Sequence, residues 1–200
     1  PNTTNFGYWR LTHDPAVRDY GNYHNTPCFS HDGRYTCYTH YPQNDKGSAE
    51  VRIIDLHTEK DIAVGTGLYP RWGNTRNRLF YARYTGDRPY PWPDKTSPVK
   101  PFDVATGTEI VRYDIETGES VVITRGVEVM GGLDSTDTWI FGSQRFRGGG
   151  THRENVVRVR NQPNSKFEVL DVPTDNGLQV VNPVHPAVKT RYRTKDPDDR

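Results

Sequence analysis

The sequence predicts an all-β protein built from repeated four-stranded sheets, and three observations predict it. One is composition: 18 Gly, 15 Pro and 12 Tyr against a single Met describe many short strands and tight turns rather than helices. Another is the stretch NYHNTPCFSHDGRYTCYTHY, Asn22 to Tyr41, where alternating aromatic and β-branched residues flank an Asp-Gly turn, a strong local hairpin signal. The third is a repeat. Laid without a gap over YPRWGNTRNRLFYARY, the stretch TPCFSHDGRYTCYTHY pairs Pro27 with Pro70, Phe29 with Trp72, Tyr38 with Tyr81 and Tyr41 with Tyr84, all at one offset of 43 residues.

Each copy leads into a second recurring unit, VRIIDLHTEKDI from Val51 and IVRYDIETGESV from Ile110: strand, acidic residue, Thr-containing turn, strand. A weaker third copy follows, with VEVMGGLDSTDTWIFGSQ as its first hairpin and NVVRVRNQPNSKFEVLDV as its second; a fourth opens at LQVVNPVHP. Four short strands in roughly 40 to 45 residues are the signature of a β-propeller blade. A β-sandwich would also show short strands between regular turns, but would not repeat aromatic and turn positions in this way. The expected blades are 22–66, 67–125, 126–173 and an incomplete 177–200, all of one propeller domain. A ring closes with ~4 to 8 blades, and about seven are expected here, so the chain supplies three blades and a fragment. The amino terminus PNTTNFGYWR has neither an initiator Met nor a signal-peptide core, which gives the expectation of a chain cut from something longer.

Composition also excludes. With 32% hydrophobic and 26% charged residues the chain can bury a core. Its formal charge of +1, with bases and acids mixed along the sequence, gives no electrostatic case for nucleic acid. No apolar run approaches the roughly 20 residues of a membrane helix. The expected state is a monomer with no membrane partner.

In a propeller the first strand of each blade lines the central channel, and the loop leading into it lies on the same face as the loop leaving the second strand. That rule turns position into neighbourhood. His24 precedes the first hairpin and His40 ends it; Gly67 and Tyr69 lead into the second blade, and Arg83 and Tyr84 leave its second strand; Glu128, Gln144 and Arg145 take the corresponding places in the third. Two insertions, TGDRPYPWPDKTSPVKPFDVATG and RFRGGGTHRE, are expected to wall the same mouth, and long loops in compact domains are more often functional than idle. Tyr90 and Trp92 in the first, and Arg145, Arg147 and His152 in the second, suit a sugar-stacking and anion-binding rim.

Blander readings stand beside these. His31 in the turn and His57 in the far hairpin loop are expected to be solvated, and His13 to cap a turn. Tyr38 and Tyr81 repeat, which suits packing between blades, and Tyr41 matches Tyr84, so Tyr84 too has a structural reading. His40 departs from the repeat, its counterpart being Arg83, which favours a role. If Asp32 and Gly33 centre the turn, residues whose numbers add to 65 face each other, and Cys28 and Cys37 do. A cross-strand disulfide and two free thiols both remain open. A metal site from Cys28, Cys37, His24 and His40 is disfavoured, because strand alternation puts Cys37 and His40 on opposite faces.

WRLTHDP, NYHNTPCFSHDGRYTCYTHY and EVRIIDLHTEKDI together resemble the propeller polysaccharide lyases, oligogalacturonide lyases and, closer in the two-histidine hairpin, ulvan lyases. FSHDGRY alone also resembles the blade repeat of TolB-type propellers; GNYHNTP and YTHY make the lyase resemblance more specific. The resemblance covers about the first 125 residues. It implies cleavage of a uronic-acid polymer, ulvan-like or oligogalacturonide, by β-elimination in a secreted or periplasmic protein. Such chemistry needs neutralisation of the uronate carboxylate by Arg, protonated His or a divalent cation, a base for the C5 proton and an acid for the departing oxygen. Carried onto this sequence, it implies His24 or His40 as base, Tyr84 as acid or its partner, and Arg83, Arg145 or Arg147 as the carboxylate clamp; His40 could instead assist neutralisation. Oligogalacturonide lyases bind a divalent metal through a late His and Gln cluster. Gln179 and His185 are the nearest candidates, and no complete ligand set is matched. A glycosidase would need a carboxylate pair; Glu128 and Asp134 are nearest, and their spacing does not recommend them. The rival reading is a non-catalytic TolB-like or WD40-like propeller that binds a protein or peptide.

Overall fold

The computed structural model describes residues 11–12, 14, 17–22, 26–42, 49–85, 108–127, 129–148, 151–170, 180–181 and 189–190; at 84, 129–130, 144–148, 151–155, 180–181 and 189–190 it describes the backbone alone. These residues contain no helix. They form β1 (Arg18–Gly21), β2 (Tyr35–Tyr41), β3 (Glu50–Asp55), β4 (Asp61–Thr66), β5 (Leu68–Trp72), β6 (Arg78–Tyr84), β7 (Thr108–Asp114), β8 (Glu119–Arg125), β9 (Val129–Leu133), β10 (Trp139–Gly148), β11 (Thr151–Arg160), β12 (Phe167–Val169), β13 (Val180–Val181) and β14 (Lys189–Thr190).

The strands make three four-stranded antiparallel sheets in simple meander order, β1 to β4, β5 to β8 and β9 to β12, followed by a two-stranded ladder of β13 and β14. Repeated meanders of this size are propeller blades, so the chain is a partial β-propeller. The first hairpin turns as its sequence dictates. Gly33 takes φ +74°, its N–H donating to the Ser30 carbonyl, while the Ser30 hydroxyl and the Arg34 N–H both donate to Asp32 Oδ1.

Two apolar clusters glue the sheets together. Leu79, Tyr81 and Val111 of the second sheet pack against Cys37, Val51 and Ile53 of the first. Phe80, Ala82 and Ile110 on the opposite face pack against Ile140, Val157 and Val159 of the third. Burial on both faces explains why β6 reads as the unbroken apolar run LFYA rather than an alternation. Each fully buried Leu, Ile or Phe contributes roughly 1.5–3 kcal/mol.

Polar staples fix how each sheet meets the next. Trp72 Nε1 donates to the Cys28 carbonyl at 3.2 Å, and Asn77 Nδ2 donates to Asp32 Oδ2 at 2.8 Å. Asp137 accepts from the backbone N–H groups of Asn74 and Thr75 at 2.8 and 2.7 Å, and from the Thr75 hydroxyl. The acidic residue of the second recurring unit also has a physical role. Asp55 is held by Arg34 and caps the N–H of His57; Asp114 is held by Arg78 and caps that of Glu116. The Arg34 hydrogen bonds hold the Asp55 carboxyl far below the usual carboxylate range, with burial opposing them.

Candidate functional site

The first hairpin keeps two registers. Near the turn, residues adding to 65 face each other, as expected: Phe29 bridges Thr36, and Ser30 N–H donates to the Tyr35 carbonyl. Farther out the innermost strand is β1, and the pairs Arg18 with Tyr41 and Asp19 with His40 follow a register six residues away. The sequence reading puts His24 just before the first strand; in chain order it follows β1. His24 itself lies outside the described residues.

The shifted register creates a pair that the hairpin alone does not foretell. His40 Nδ1 donates to Asp19 Oδ1 at 2.7 Å, with the two side chains 18% and 14% exposed. A carboxylate only accepts, so Nδ1 carries the proton in the neutral ring and Nε2 carries the lone pair. The Tyr38 ring meets His40 edge-on at 6.5 Å, its hydroxyl donating to Asp61 Oδ2 at 2.8 Å. Burial, together with that carboxylate, pushes the Tyr38 phenol well above its ordinary range, so it stays protonated. As strand alternation requires, Cys37 faces the second sheet, away from His40. Cys28 and Cys37 are free thiols. Burial pushes the Cys37 thiol up to about 12, with Asn22 Nδ2 donating to its sulfur at 3.3 Å.

At the head of the second sheet, Arg83 gives both Nε and Nη2 to Glu109 Oε2, at 2.9 and 2.6 Å, and Arg125 Nε takes Oε1 at 3.0 Å. Glu109 is only 7% exposed, so the cluster is two guanidinium groups around one buried carboxylate. Arg83 is therefore engaged within the fold, and Arg125, 59% exposed in its side chain, is the freer cation. Tyr69 is exposed and has φ +57°, a conformation an aromatic residue rarely adopts. The β5–β6 register slips by one residue between Leu68 and Arg71, and this bulge leaves Tyr69 exposed. Gly67 and Gly65 make room for that path: a Cβ on Gly67 would lie 2.5 Å from Tyr81 Cδ2, and one on Gly65 would lie 2.9 Å from the Tyr81 hydroxyl.

The stretch RFRGGGTHRE is not the long loop its glycines suggest. β10 and β11 pair along their whole lengths, with Arg145 opposite Glu154, Arg147 opposite His152 and Gly148 opposite Thr151. Alternating polar residues with opposite charges across the ladder favour a paired ribbon over an open loop. Gln144, Arg145, Arg147 and His152 therefore sit on this ribbon, and Tyr84 ends β6. Tyr90, Trp92, Glu128, His13, Gln179 and His185 lie outside the described residues. His31 and His57 are exposed, as expected of turn residues. Asp134 serves its own turn, accepting from Trp139 N–H and the Thr136 hydroxyl. Despite burial, these hydrogen bonds hold it below the usual carboxylate range, which does not suit a general acid.

Among the described residues no group of three or more His, Cys, Asp or Glu side chains could hold a metal ion. Gln179 and His185, the nearest metal-ligand candidates in the sequence, are not among the residues searched. An open cleft of about 380 Å³, lined by Arg125, Asn164 and Lys166 among others, runs beside the outer strand β8 and the β11–β12 loop, away from the inner strands.

No protein-family model matches the chain, and no curated protein matches it significantly. Solved structures do. An oligogalacturonate lyase in complex with manganese superposes with a TM-score of 0.54 at 19% identity, and an oligogalacturonate lyase from Vibrio parahaemolyticus with 0.51 at 16%. Each match covers 80% of this chain and 42% of the lyase, so the chain spans about two fifths of their length. TolB from Acinetobacter baumannii matches at 17% identity with a TM-score of 0.47, over 78% of this chain and 33% of its own. The two lyases show this chain to have the architecture of a propeller of oligogalacturonate lyase type.

Proposed function

We propose that this propeller is part of a polysaccharide lyase that cleaves a uronic-acid polymer, of ulvan or oligogalacturonide type, by β-elimination. The observation that carries the reading is the Asp19–His40 pair in a lyase-like propeller, at the end of the sheet where the blade rule expects the channel mouth. A histidine fixed by a carboxylate through Nδ1 presents Nε2 as a general base of defined direction. In the proposed reaction His40 Nε2 takes the C5 proton of the uronate. The C5–H electron pair becomes the C4–C5 double bond, and the C4–O bond breaks toward the leaving sugar. Tyr84 donates the proton that the departing oxygen needs, and His24 is the alternative base. The uronate carboxylate is held by cationic side chains, Arg145 and Arg147 being candidates on the β10–β11 ribbon, and Gln144 and His152 extend that surface. Tyr69, with Tyr90 and Trp92, supplies stacking faces for sugar rings. A divalent cation bound beside that carboxylate would supply the same neutralisation, with Gln179 and His185 the nearest candidate ligands. A secreted or periplasmic location, and action as a monomer, accompany this reading.

The test is ultraviolet absorbance on mixing the full-length protein with a panel of uronic-acid polymers, because elimination leaves a conjugated unsaturated uronate and hydrolysis does not. A rise with one polymer is expected. His40→Ala should then slow it by roughly 10²–10⁴-fold, the usual worth of general base catalysis, with folding intact. A flat trace from folded protein across the panel would overturn the lyase reading in favour of a peptide- or protein-binding propeller.

A further inference from the structure

Arg71 lies on the innermost strand of the second sheet and differs from the other partly buried arginines. Arg34 has Asp55, Arg52 has Asp61, Arg78 has Asp114, Arg83 has Glu109 and Arg112 has Asn161. Arg71 makes no ion pair or hydrogen bond with any described residue. Its guanidinium reaches toward the innermost strand of the third sheet, with Nη1 3.9 Å from where a Gly132 Cβ would stand. Gly132 lies in the Gly131–Gly132 pair, beside the register slip of β9 against β10, so the strand is bare of side chains where the guanidinium sits. Burial alone depresses the Arg71 guanidinium from its ordinary value, with no nearby charge offsetting it. Arg71 is half-buried rather than cut off from water, and a partly desolvated cation without a partner is one that native proteins ordinarily pair or use.

The bulge that leaves Tyr69 exposed also fixes where Arg71 sits. Arg71 lies two residues farther into the same inner strand than the exposed Tyr69. We propose that Arg71 is the binding site for a substrate carboxylate inside the channel, with Tyr69 stacking on the neighbouring sugar. This rests on the acidic-polysaccharide reading above and assigns the clamp to a residue other than Arg83, whose guanidinium is already engaged by Glu109.

The experiment compares full-length wild type, Arg71→Met and Arg71→Lys by calorimetric binding of a galacturonate trimer and its methyl-esterified, uncharged counterpart, with urea unfolding of each protein. Wild type should prefer the acid. Arg71→Met should lose about tenfold or more of its affinity for the acid, as expected for a charge-assisted two-point contact. It should bind the ester as wild type does and be about as stable, because the half-buried guanidinium makes no ion pair or hydrogen bond with a described residue. Arg71→Lys keeps the charge without the planar fork and should fall between. Unchanged acid affinity in Arg71→Met, equal loss for acid and ester, or a wild type indifferent to esterification would each overturn the proposal. The lyase reading fails separately: acid binding that depends on Arg71 without any ultraviolet rise would keep Arg71 as an anion site and remove the elimination chemistry.

Discussion

Gly67 offers a direct test of how closely the second sheet is packed at the mouth. A Cβ there would lie 2.5 Å from Tyr81 Cδ2 and 2.6 Å from the Ala82 carbonyl oxygen, about 1 Å inside the ~3.5 Å optimum for carbon contacts. Tyr81 is 1% exposed, and the Ala82 oxygen is backbone of a central strand, so neither can yield without moving the ladder. Gly67→Ala should therefore cost about 3 kcal/mol, the upper part of the usual overpacking range. Gly65→Ala meets only the end of the same side chain, the Tyr81 hydroxyl at 2.9 Å, and should cost about 1 kcal/mol. Tyr81→Phe should relieve the Gly65 variant and leave the Gly67 variant unrescued, since Ala82 remains. Gly21→Ala, with nothing within 4 Å, is the neutral control. Urea midpoints at constant slope measure all four. A Gly67→Ala midpoint equal to that of Gly21→Ala would refute the close approach, and with it the basis for the Tyr69 bulge.

Two further outcomes follow from the staples. The Asp55 carboxyl is depressed in the folded state, so its stabilisation is complete above the unfolded value of about 4 and is lost as pH falls toward the folded value; the stability gap between wild type and Asp55→Asn should be widest near neutrality and close in acid, and a gap that widens below pH ~4 would contradict the assignment. Asp137→Asn keeps a residue type that tolerates φ +56° but removes the charge that collects the Asn74 and Thr75 donors. It should cost about 1–2 kcal/mol and speed hydrogen exchange at those two amides, and unchanged protection would show that the third sheet does not pin that turn.

The propeller was legible because its signals are local or periodic. Tyr38 and Tyr81 repeat in sequence and are both buried. The register around Asp32 and Gly33 follows from turn geometry alone. Equal repeat positions still differ where their neighbours differ: Trp72 is 1% exposed between the first and second sheets, whereas Phe29 is 57% exposed with no described sheet against it. The Asp19–His40 pair was not legible, because continuing the turn's register would set Asn25 opposite His40. Only the slip of six residues brings Asp19 there, and nothing in the composition of Asn22–Pro27 announces its size. Arg71 escaped for another reason. It lies in the PRW segment, whose repeat partners Pro27 and Phe29 have structural readings, and its lack of a partner becomes visible only in three dimensions. RFRGGGTHRE misled because its three glycines outweighed the cross-strand alternation around them.

The two registers of the first hairpin also bear on how such a protein can diversify. β2 is paired twice, with Phe29 near its start and with β1 near its end, and residues 22–28 of the sequence join the two partners. Lengthening that segment costs little, since doubling a loop adds only about 0.6 kcal/mol of closure entropy. Selection can thus vary the length of that connection while the Asp19–His40 pair and the blade beneath it stay in place, which separates change in the connection from the stability of the sheet.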